Sequence, residues 1–178
     1  MNEQTMRLRR ELEDNVRRGK ELAARVDDES LSRRPAERSW SVAECLEHLN
    51  VSAEEYIGRI RAGLDAAERR PPRRRERLSI LGRIFVWFME PPVRKRLPAP
   101  RGFRPAKAPI AREVLLHRYD TLHAELIRLL EESDAFDRSR IKVPSPASDR
   151  MRLSVLDAFA ILASHGRRHL WQAERAIR

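Results

Sequence analysis

Cysteine is almost missing from this chain. One residue, Cys45, stands among 178, which excludes an internal disulfide framework and fits a reducing compartment. Long apolar runs are missing as well. None reaches the ~20 residues that a membrane-spanning helix needs. The opening MNEQTMRLRRELEDN lacks the apolar core of a secretory leader, so a cytoplasmic location is the expectation. Lysine is scarce, at four of the 37 basic residues, and so general an arginine bias says little about any single arginine. No Ser/His/Asp or Cys/His arrangement for nucleophilic catalysis is visible. Helix-turn-helix, zinc-finger and RNA-recognition patterns are absent too, and nucleic acid is a disfavoured partner.

What is present is a charged, apolar-periodic chain. Its 178 residues suggest one domain over 1–178. At 41% hydrophobic and 36% charged residues, it reads as soluble and globular. The net charge of +10 is unevenly spread. Residues 69–107 hold 13 Lys/Arg against two acids, Glu76 and Glu90, so the remainder is close to neutral.

Four long helices are expected. The first covers about 3–26, with Leu8, Leu12, Val16, Leu22 and Val26 as its apolar stripe. DDESLSRRPAER breaks it. Ser41 with Glu44 forms a capping box that opens the second, which carries Cys45, Leu46, Leu49, Ala53, Tyr56 and Ile60 on one face and runs to about Glu68. A third starts at Ile110, with Leu115, Tyr119, Leu122, Leu126 and Leu129 at core spacing. DAFDRSRIKVPSPASDRM reads as a loop. Ser154 with Asp157 opens the fourth, which runs to the end. Between the second and third, residues 69–109 contain eight of the 11 prolines and one short apolar stretch, LSILGRIFVWFME. That is too long for a tight helical hairpin. With no convincing strand pattern, the fold class is all-α: a four-helix bundle with a long crossover carrying a short apolar helix.

The sharpest chemical signal lies in ILASHGRRHLWQAERA. His165 and His169 stand four residues apart on the apolar face of the last helix, with Val155, Ala158, Phe159 and Leu162. An inward i,i+4 pair of imidazoles is a geometry that divalent metals use from one helix, though the Glu of H-E-x-x-H is missing here. A third ligand must come from elsewhere, and His48, on the border of the second helix's stripe, is the best candidate. Glu44 and Ser52, one turn either side of it, could orient it or hold a water, although Glu44 competes as the helix cap. Gln172, three residues beyond His169, could hydrogen-bond a ligand. Cys45 reads as a small buried hydrophobe, His117 as a surface residue, and His123 as bordering its own helix's stripe. Core histidines satisfied by a hydrogen bond are the competing reading of the whole set.

RPAERSWSVAECLEHLNVSAEEY and SHGRRHLWQAERA together resemble the DinB/YfiT-like superfamily of bacterial proteins. The resemblance rests on Trp40, Ser41, Glu44, His48 and Leu49 opening helix two, and on His165, His169 and Gln172 on the last helix. The proline-bearing crossover and PIAREVLLHRYD fit the same layout. This resemblance implies an up-down-down-up bundle and a divalent metal, zinc or nickel, on His48, His165 and His169. Members include thiol-dependent S-transferases and isomerases that use low-molecular-weight thiols. The implied function is therefore a metal-dependent thiol S-transferase acting on a small-molecule substrate. The alternatives are a metal-dependent hydrolase and a non-catalytic binding module. Three histidines leave a coordination position open, and a bound cation lowers the pKa of a water or thiol there.

The apolar stretch of the crossover has several readings. It can pack on the bundle and wall the pocket, or form a homodimer contact. It can also lie in a membrane interface, with Trp and Phe inserted and the flanking arginines Arg69–Arg77 and Arg94–Arg104 on anionic headgroups.

Overall fold

The structure is a computed structural model, and it describes residues 1–37, 39–70, 76–92, 101–105, 110–146 and 148–177. Half of the flanking arginines of the crossover, at 73–75, 94 and 96, lie outside these residues. Six α-helices and one two-stranded sheet are found among the described residues. The helices are α1 (Glu3–Ala24), α2 (Asp28–Ser32), α3 (Val42–Asp65), α4 (Ile80–Met89), α5 (Arg112–Glu132) and α6 (Val155–Ala176).

The predominantly all-α reading holds. The bundle is made of α1, α3, α5 and α6: α1 and α3 each pack against both α5 and α6. Apolar stripes at helical spacing drive this packing. Leu8 and Leu12 of α1, Tyr56 and Ile60 of α3, Leu126 and Leu130 of α5, and Phe159 and Leu162 of α6 share one buried cluster. A second cluster, with Leu46, Leu49, Leu115, Tyr119 and Leu170, fills the other end. The short helix α4 packs on α6.

Two features depart from the sequence reading. Residues 142–154, read as loop, form an antiparallel hairpin of β1 (Lys142–Ser145) and β2 (Ser148–Ser154), pairing Val143 with Leu153. Both of these side chains are buried in the core, and burial of this alternate pair closes one end of the bundle. Within the break after α1, Asp27 caps the single-turn helix α2 by accepting from the Ser30 backbone N–H at 2.8 Å. That helix inserts Leu31 into the core.

Candidate metal centre

Capping chemistry positions the first histidine. The Ser41 hydroxyl accepts from the Glu44 N–H at 3.1 Å, and the Glu44 carboxylate accepts from the Ser41 N–H at 2.9 Å. This box fixes where α3 begins, and His48 follows two turns later, 4% exposed and facing α6. The same device starts α6, with Ser154 and Asp157. His165 and His169 then fall on successive turns. Between them sits Gly166, where a Cβ would lie 2.4 Å from Nδ2 of Asn15. Its missing side chain lets α1 come close enough for Asn15 to donate to the Ala163 carbonyl at 2.9 Å.

The three rings converge. Centroid separations are 4.4 Å for His48–His169, 4.5 Å for His165–His169 and 4.9 Å for His48–His165. One nitrogen from each ring lies within 4.8 Å of the others, and Nε2 of His48 is 3.0 Å from Nε2 of His165. Donors ~2.1 Å from a shared ion stand ~3.4 Å apart in a tetrahedron, so small side-chain adjustments bring all three into bonding reach.

The tautomer of His48 is set from outside. Its Nδ1–H donates to the backbone carbonyl of Phe103, which leaves Nε2 as a lone-pair donor facing the other two rings. Metal-bound histidines are commonly held this way, by a carbonyl on the far nitrogen. Trp40, just before the cap of α3, closes one side by stacking on His169 at 5.5 Å and tilting against His48 at 4.8 Å.

Electrostatics keep the rings neutral. Burial pushes the His48 pKa down, partly offset by the bond to Phe103. Burial also holds His165 and His169 well below the ordinary histidine range, helped by the neighbouring rings and by Arg168. Neutral imidazoles are the form that binds a cation. The cluster holds no carboxylate. Gln172 favours the protonated form of His169, yet Nδ1 of His169 is buried without a hydrogen-bond partner. A buried ring nitrogen without a partner is costly in a structural core. The convergent imidazoles fit a cation, and all-imidazole sets suit zinc, nickel and similar metals rather than magnesium or calcium.

The other residues singled out by sequence go elsewhere. Glu44 is spent on its cap and on Arg34, whose Nε donates at 2.8 Å. Ser52 donates to the His48 backbone carbonyl at 2.7 Å, so it touches that residue's backbone and not its ring. Cys45 is fully buried, and burial pushes its thiol well above the usual range. His117 is exposed. His123 is buried, with Nδ1 on the Tyr119 carbonyl at 2.8 Å. It faces His165 across a cavity of about 10 Å³, room for roughly one water. Three participants escaped the sequence reading: the Phe103 carbonyl, the stacking role of Trp40 and the charge of Arg168. Only Trp40 carried a sequence signal, its place in the motif before the capping box.

A helical bundle with a buried three-histidine cluster is the class that fold and site define. The chain belongs to the DinB superfamily, whose family model matches residues 11–173. No curated protein and no solved structure matched the chain.

Proposed function

We propose that His48, His165 and His169 bind one divalent cation, zinc or nickel, and that the centre serves transfer of a low-molecular-weight thiol to an electrophilic small molecule. When bound, the cation would lower the pKa of a thiol sharing the site and so supply thiolate near neutral pH. The chain's residues do the rest. Phe103 holds His48 in one tautomer, Trp40 shields two of the rings from water, and burial keeps all three neutral. Arg168 places a fixed positive charge that is felt at His165 and His169. A cation seated beside that charge favours an anionic companion such as a thiolate. In the transfer itself, the thiol proton leaves to solvent, and the sulfur lone pair forms the new S–C bond. The displaced group departs with the electrons of the bond it breaks.

The observation that carries this reading is the convergence of three neutral imidazoles, one ring nitrogen from each, with no carboxylate among them. The test is elemental analysis of untagged protein together with a thiol-plus-electrophile assay. One equivalent of zinc or nickel, lost with the activity in His169→Ala, is the expected result. Protein with less than a tenth of an equivalent after metal supplementation would overturn the centre. Stoichiometric metal with hydrolysis but no thiol turnover would replace transfer by hydrolysis.

A further inference from the structure

The short helix of the crossover is apolar on both of its faces, and the bundle uses only one. Gly82 turns inward, where a Cβ would come within 2.1 Å of the Asp157 carboxylate. Phe85 and Val86 pack against the core. The orientation is locked by Ser79, whose N–H and hydroxyl both donate to Asp157, at 2.9 and 2.8 Å. The opposite face therefore points outward by construction. It carries Ile80 at 78% exposure, Ile84 at 56%, Trp87 at 59% and Leu81 at 39%. Ile80, Ile84 and Trp87 stand at i, i+4 and i+7, one continuous stripe.

The charge around this stripe has one sign. From residue 76 to 91 the exposed positions are Arg77, Ile80, Leu81, Arg83, Ile84 and Trp87: apolar or cationic, never acidic. Both of the segment's acids are engaged in ion pairs, the Glu76 side chain buried and that of Glu90 34% exposed. Glu76 pairs with the buried Arg138, and Glu90 with Arg167, Nε donating at 3.1 Å. Over 69–107 the sequence holds 13 basic residues against those two acids.

We propose that the outer face of α4 and its arginine flanks dock on an anionic lipid bilayer. Isoleucines and an indole enter the headgroup boundary while Arg77 and Arg83 meet lipid phosphates and carboxylates. A second copy of the chain fits worse on two counts. It would bring two strongly basic segments together. The face of a ten-residue helix is also only ~15 Å long and ~10 Å wide, far short of the ~800 Å² per partner of a stable dimer. A nucleic acid would leave the isoleucine stripe against phosphate. The docking residues are distinct from the histidine cluster and do not depend on it.

Co-sedimentation of the full chain with vesicles tests this, comparing phosphatidylcholine alone with phosphatidylcholine plus a third phosphatidylglycerol. Binding to the anionic vesicles, absent with the neutral ones and weakened by high salt, is expected. Ile80→Ser/Ile84→Ser should weaken it about tenfold or more through lost apolar insertion, and Arg83→Glu should weaken it through charge. Both substitutions lie on exposed positions, so an unchanged melting temperature confirms that the fold is intact. No binding at low salt overturns the proposal. So does binding that the double isoleucine variant leaves unchanged, which would make the contact purely electrostatic. A dimer in sedimentation equilibrium, dissolved by the same variant without any vesicle binding, would assign the face to self-association instead.

Discussion

Two of the buried polar clusters among the described residues are built on opposite rules. Around Arg138, side chains answer one another. Its guanidinium, fully buried, donates to Glu76 through Nε at 3.2 Å and again through Nη2, and to the Thr5 hydroxyl at 2.7 Å. Thr5 donates onward to Asp134 at 2.6 Å, and Asn2 donates to Glu76 at 3.2 Å. Charges are paired and donors have acceptors. The histidine cluster has neither paired charge nor full hydrogen bonding: its rings are neutral and Nδ1 of His169 has no partner. A closed network rigidifies a fold, here tying the start of the crossover to α1 and to the turn after α5. An open one is a cost that a ligand relieves.

The largest expected effect comes from breaking the closed cluster. Arg138→Met leaves the Glu76 carboxylate in an apolar site with its main partner gone, and should cost about 3–5 kcal/mol in urea unfolding. Adding Glu76→Leu to that variant should recover part of the loss, because no uncompensated charge then stays buried. If the double variant is no more stable than Arg138→Met, the pairing is not what holds this region.

Next in size is the response to acid on the open side. Burial lowers the His123 pKa to about 4, against about 6.5 in an unfolded chain. Above pH 6.5 the ring is neutral in both states and the full stability is present. Between 6.5 and 4 the unfolded state binds the extra proton, so stability falls with falling pH, by about 3 kcal/mol at most from this residue. Metal-free protein should show this slope, steepened by the three cluster histidines, which shift the same way. His123→Leu should flatten it measurably. An identical slope in the variant would remove His123 from the account.

Metal itself separates the two clusters. At a hundredfold excess over its Kd, a bound ion should stabilise the fold by about 2.7 kcal/mol. His169→Leu should abolish that gain while leaving the metal-free protein within about 1 kcal/mol of the parent, because the substituted ring had an unsatisfied nitrogen. A large loss in the metal-free variant would mean that His169 is an ordinary structural residue.

What could be read from sequence follows the same division. His165 and His169 were visible because a 3.6-residue period places them on an apolar face, and the capping boxes because their residues are adjacent in the chain. The hairpin was not: Pro144 lies inside β1, and the register slips between Pro144 and Ser145, which erases the alternation that marks strands. Helix α2 is a single turn, too short for any period. The Phe103 carbonyl is backbone and has no letter of its own. Arg138 and Glu76, 62 positions apart, looked like two charges among many, since nothing local marks a pair that only the folded crossover brings together.

Glu44 gives the smallest and most discriminating contrast. It stands one turn before His48, where sequence offers either a metal-supporting carboxylate or a helix cap. In the structure its oxygens accept from the Ser41 N–H and from Arg34, a cap at the surface end of α3. Glu44→Ala should therefore cost about 1 kcal/mol of stability, as lost caps do. Metal stoichiometry should stay at the parent value in elemental analysis, because His48 is oriented by the Phe103 carbonyl and not by this carboxylate. Were the variant to lose metal at unchanged stability, the carboxylate would belong to the open cluster after all, and its contact with the cap would be incidental to its role.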